Sequence, residues 1–120
     1  GPSAGLAITT ALLSELTDIP IKRNVAMTGE ISLKGKALAI GGLKEKSMAA
    51  YKAGCDTVII PKDNLKDLSE VNEEVKSAVR FISVSRFDEV IEQALEYMPK
   101  KRKSEMIIKA DTDSASAVTQ

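Results

Sequence analysis

Thr57-Val58-Ile59-Ile60-Pro61 is the stretch that decides the fold class. Its first four residues are β-branched, and such a run stopped by proline predicts a short strand buried on both faces. A strand of that kind needs helices to cover it, and helical patterns flank it on either side. Upstream, Leu43 to Lys52 reads as a helix with Leu43, Met48, Ala50 and Tyr51 on its apolar side, opened after Gly41-Gly42 and stopped by Gly54. Downstream, Asn64 to Val79 is polar and only periodic in pieces, which predicts short helical turns. Phe81 to Val84 reads as another strand. Phe87, Val90, Ile91, Ala94, Leu95 and Met98 then share one stripe of a final helix ended by Pro99.

Toward the N-terminus, Leu6, Ile8, Leu12, Leu13 and Leu16 recur at helical spacing, so Ala4 to Leu16 is expected to be a helix with Ser3 at its N-cap. Val25 to Ile31 and Ala37 to Ile40 read as strands joined through a turn at Lys34-Gly35-Lys36, and the pair fits a hairpin. The expectation is a mixed α/β (α+β) domain, a small mixed sheet with packed helices, over residues 1–98. From Pro99 onward a basic run, Lys100 to Lys103, gives way to the small, polar Asp111 to Gln120, which predicts a disordered tail over 99–120.

Composition narrows the function classes. The chain has 120 residues, enough for one domain, with 43% apolar and 28% charged residues, as in ordinary soluble proteins. Lys plus Arg and Asp plus Glu both number 17, a balance that argues against a nucleic-acid or membrane-surface partner. There is no histidine, which excludes a His-based triad and a His-ligated metal. The single Cys55 excludes an internal disulfide and reads as a small buried thiol. No secretory signal is visible and no apolar run approaches the ~20 residues of a membrane span, so the reading is cytosolic.

Three segments carry candidate chemistry. In Gly1-Pro2-Ser3-Ala4-Gly5 a serine precedes a helix, where backbone N–H groups can stabilise an oxyanion; serine is also a preferred N-cap, and position alone favours that reading. In Ile40-Gly41-Gly42-Leu43-Lys44-Glu45-Lys46 either lysine is a candidate base for a serine, provided its surroundings populate the neutral amine. Residues two apart on a helix diverge by about 200°, so only one of Lys44 and Lys46 faces a given site, and by pattern alone a charged helix face exposed to water is the default reading of both. In Met27-Thr28-Gly29-Glu30 a threonine beside a glycine can orient a lysine amine or serve simply as a strand residue. Gly29 to Lys36 superficially suggests a phosphate loop, but five residues separate its glycines and Ala37 stands where Ser or Thr is needed. Pro99 to Lys103 suggests a nuclear-import signal, yet such runs are commoner as solvated tails.

Together, in this order and spacing, Gly1 to Gly5, Ala26 to Glu30 and Ile40 to Lys46 resemble the proteolytic domain of the Lon family of ATP-dependent serine proteases. The likeness continues through Val58-Ile59-Ile60-Pro61, Asn64 and the final helix. It implies Ser3 as nucleophile, Lys46 as general base and Thr28 as the residue that helps hold the lysine. It also implies an endopeptidase of unfolded or damaged polypeptides, working as a homo-hexamer. No cofactor is expected in these residues; ATP and magnesium belong to the family's AAA+ module, which lies upstream together with the first strands of its proteolytic domain. The acidic residue that usually precedes Gly-Pro-Ser in the family has no counterpart here. A piece of a longer protein is therefore the expectation, and the alternative is a non-catalytic α/β segment serving assembly only.

Overall fold

The structure, a computed structural model, describes residues 3–99. Of the tail expected over 99–120, all but Pro99 lies outside the described residues, the whole basic run Lys100 to Lys103 included. The elements run along the chain as β1 (Ser3–Gly5), α1 (Leu6–Thr17), β2 (Val25–Met27), β3 (Glu30–Ser32), β4 (Ala37–Leu38), α2 (Leu43–Lys52) and β5 (Thr57–Pro61). After them come a succession of 3-10 turns (Lys62–Glu70), α3 (Glu73–Ala78), β6 (Arg80–Val84) and α4 (Phe87–Ala94).

As its composition demands, β5 is central. It pairs in parallel with β2 on one edge and β6 on the other, and Val58, Ile59, Ile60 and Pro61 are all buried. Alternation along the strand divides the core in two. Ile59 joins Leu6, Ala37, Val84, Val90 and Ala94 on the side of α1 and α4. Val58 and Ile60 join Leu43, Val71, Val75 and Val79 on the side of α2, the 3-10 segment and α3. The result is a mixed α/β domain with helices on both faces of a parallel sheet, and a second, antiparallel sheet ordered β1-β3-β4.

The segment Val25 to Ile31 is not one strand. Gly29 adopts φ +127°, so the chain leaves the parallel sheet after Met27 and re-enters as β3, antiparallel to β1 and β4. Only the second half therefore forms the hairpin with Ala37–Leu38. The turn at Lys34 to Lys36 is held against the start of α4: Arg86 Nη2 donates to Lys34 O at 3.0 Å and Phe87 N–H to Gly35 O at 2.9 Å.

Both terminal helices depart from the periodic reading. The first begins at Leu6 with Gly5 as its cap, because residues 3–5 pair with β3 and the Leu6 N–H donates to Gly29 O at 3.0 Å. Ser3 is thus a strand residue, not a capping one. Leu6 and Thr10 face inward, whereas Ile8, Leu12 and Leu16 are 69%, 59% and 82% exposed. Helical spacing reports that a face exists; it does not report which neighbour covers it. The last helix stops at Ala94, since Leu95 bridges to Ile21 and the Lys22 N–H donates to Ala94 O at 2.7 Å. Cys55 is only half-buried, because it comes after the C-terminal turn of α2 and not in the strand interior.

On the other face, the Tyr51 hydroxyl of α2 donates to Glu74 Oε1 of α3 at 2.8 Å. That hydrogen bond, and the carboxylate charge beside it, raise the phenol above its ordinary pKa of 10.0. Asn72 caps α3, its side chain accepting from the Glu74 N–H at 2.8 Å.

Candidate active site

The left-handed turn at Gly29 brings the three motif segments to one place. An open cavity of about 350 Å³ is walled by the first turn of α1 (Gly5 to Ile8), by Met27 to Glu30, by Ile40 and by Lys46. Each wall has a local cause. The α1 wall is set by the Leu6 N–H bond to Gly29. Thr28 is placed by its own N–H, which donates to Ile59 O at 3.0 Å and extends the β2–β5 pairing by one residue. Lys46 lies in the first turn of α2, its N–H on Gly42 O at 3.0 Å, and Gly42 reaches the N-cap position with φ +79°.

Thr28 and Lys46 share this cavity; Lys44 does not. The latter lines a separate hollow with Gly41, Gly42, Glu45, Asp67 and Glu70, in keeping with the angular divergence of the two lysines. Ser3 sits next door, in a hollow of about 320 Å³ with Ala4, Thr9, Ile31, Ser32 and Leu33. Its hydroxyl donates to Glu30 Oε2 at 2.5 Å, not to Lys46. Glu30, at the rim of the Lys46 cavity, therefore links the two hollows. Ser3 and Lys46 are both solvent-exposed.

Two residues near this site had no role assigned by sequence reasoning. Glu30 was part of a motif, but a carboxylate after glycine gives no local sign of pointing at a serine 27 positions away. Asn64 is fully buried and reaches back to the backbone of Ile40, a placement hinted at only by an asparagine three residues after the strand-ending Pro61. The segment Gly29 to Lys36 forms β3 and the turn after it, not a loop entering a helix. Among the described residues no group of three or more His, Cys, Asp or Glu is arranged to hold a metal ion, and no helix is long and apolar enough to cross a membrane.

Comparison with known proteins gives this arrangement a family. The Lon protease (S16) C-terminal proteolytic domain matches residues 1–97. The Lon protease of Chloroflexus aggregans is 56% identical over 98 residues, covering 82% of this chain and 12% of that protein. That of Mycoplasmopsis agalactiae is 57% identical over 105 residues, covering 88% of this chain and 10% of the relative. For Brevibacillus choshinensis the identity is 54% over 99 residues, 82% of this chain and 13% of the relative. The chain thus spans about an eighth of the length of these relatives, and by sequence and fold alike it belongs to the family of the Lon protease C-terminal proteolytic domain.

Proposed function

We propose that these residues are the catalytic region of a Lon-type, ATP-dependent serine endopeptidase, with Ser3 as nucleophile and Lys46 as its base. The observation that carries this reading is the convergence of Thr28, Lys46 and the first turn of α1 on one cavity. In the proposed reaction Lys46 Nζ takes the Ser3 proton as Oγ attacks the peptide carbonyl. Lys46 then protonates the leaving amine, and water hydrolyses the acyl-enzyme. Thr28, which lines the same cavity, orients the amine. The Leu6 N–H is taken up by Gly29 O, so the Ala7 and Ile8 N–H groups, which have no partner within the helix, supply donors for the developing oxyanion.

The reading extends to a protein on the scale of the relatives: a cytoplasmic homo-hexamer that uses ATP and magnesium in a separate module to unfold damaged polypeptides and feed them to this site. Peptide cleavage by a full-length protein carrying Ser3→Ala tests it. Cleavage should fall to background while ATP hydrolysis is retained; surviving cleavage would remove Ser3 from the mechanism.

A second reading has its own support. The exposure of Lys46 and the Ser3–Glu30 bond favour a non-catalytic α/β segment that serves assembly only. Cleavage by a full-length protein that is lost in Ser3→Ala and in Lys46→Ala favours the first reading; cleavage unaffected by either favours the second.

A further inference from the structure

Asn64 is a fully buried polar side chain that the proposed reaction does not use. Two of its three hydrogen bonds go to the backbone just before α2. Oδ1 accepts from the Ile40 N–H at 3.2 Å, Nδ2 donates to Ile40 O at 2.8 Å, and Nδ2 also donates to Asp67 Oδ2 at 2.8 Å. The amide grips both backbone groups of Ile40 as a neighbouring strand would, two residues beyond the end of β4. From Ile40 the chain runs directly into Gly41-Gly42, and Gly42 begins α2 without any side-chain cap. A Gly-Gly entry is conformationally loose, so the direction of the helix needs an anchor just before it. Ile40 is also part of the wall that faces Lys46.

We infer that Asn64 is a positioning residue for Lys46: by clamping Ile40 it fixes the first turn of α2 and so the place of the amine in the cavity. This rests on the reading of Lys46 as the base. Misplacement of a reacting group by an ångström costs about 10²-fold in rate, and the amide is irreplaceable in kind because it must donate and accept on one plane. Asn64→Asp keeps the shape and the acceptor, but turns a carboxylate oxygen toward Ile40 O and Asp67. In a full-length protein this substitution should lower kcat for a peptide by roughly 10–10²-fold with KM within about twofold.

The exchange Asn64→Asp with Asp67→Asn restores a donor between positions 64 and 67 but leaves Ile40 O facing a carboxylate. It should recover part of the thermal stability lost in Asn64→Asp, through the restored bond between positions 64 and 67, without recovering kcat. Were kcat to return with stability in the exchange, or to stay at the wild-type value in Asn64→Asp, the positioning role would be overturned. Lys46→Ala in the same assay keeps the failures apart. Cleavage surviving there removes the base assignment and the inference with it. Loss of cleavage there beside wild-type kcat in Asn64→Asp removes the inference alone.

Discussion

Lys46→Met in a full-length protein carrying this sequence should reduce kcat/KM for peptide cleavage on the order of 10³-fold or more, with ATP hydrolysis preserved. General acid–base catalysis supplies about 10²–10⁴-fold at a single proton transfer, and the proposed scheme places two such transfers on one amine. Lys46→Arg should be equally inactive. A guanidinium matches the charge and much of the length, but it does not give up its proton and cannot accept one from serine. Lys44→Met is the internal control. Lys44 lies two positions earlier on α2, lines a different hollow and should leave cleavage within about twofold of wild type. Activity in Lys46→Arg would show that position 46 contributes charge and not proton transfer.

Gly29→Ala should be the most damaging single-methyl change among the described residues around the site. At φ +127° the backbone is where L side chains rarely go, and a Cβ built there meets Pro61 Cγ at 2.6 Å and Leu6 Cδ1 at 3.0 Å. Neither neighbour yields easily, since Pro61 is a ring in the central strand and Leu6 is fully buried. Backbone strain of this kind costs about 1–3 kcal/mol and overpacking adds a similar amount. A loss of roughly 3 kcal/mol or more is therefore expected in urea unfolding of the chain, a large share of the 5–15 kcal/mol of a typical domain. The site suffers as well, because Gly29 O holds the Leu6 N–H and its neighbour Thr28 faces Lys46. A Gly29→Ala protein as stable as wild type would mean that the split between β2 and β3 is not fixed at this residue.

Gly29 also explains what was and was not legible in the sequence. The class of fold could be read from the Thr57 to Pro61 run, because four β-branched residues ended by proline have few uses besides a buried strand. The limits of α2 could be read from its glycines: Gly41-Gly42 before Leu43, and Gly54, at φ +89°, just beyond Lys52. By contrast, Val25 to Ile31 reads as one strand because nothing local reveals that Gly29 takes a left-handed turn; the reason is the contact with Leu6 and Pro61, both distant in sequence. The same holds for α1. Its spacing of leucines is helical, yet Ile8, Leu12 and Leu16 face outward, since the elements that contact α1 (β1, β2 and α4) leave that stripe uncovered while Leu6 joins the core of Val90 and Ala94.

The site was legible to a similar depth. The motif segments hold Thr28, Lys44 and Lys46, only the family resemblance preferred Lys46 to Lys44, and the fold puts Thr28 and Lys46 on one cavity. The role of Ser3 depends on a hydroxyl whose direction is set by tertiary structure. Here it is turned to Glu30 by the pairing of β1 with β3, and no pattern in residues 1–5 foretells that.

The central claim is that Ser3 is the nucleophile and Lys46 its activator, and covalent labelling tests it most directly. A peptidyl chloromethyl ketone or fluorophosphonate, which reacts with activated serines, is incubated with the full-length protein and the modified residue is mapped by tandem mass spectrometry. Modification at Ser3 in the wild type, lost in Lys46→Ala while the protein remains folded, is the predicted result. Modification at another residue, or undiminished labelling of Ser3 without Lys46, would contradict the account.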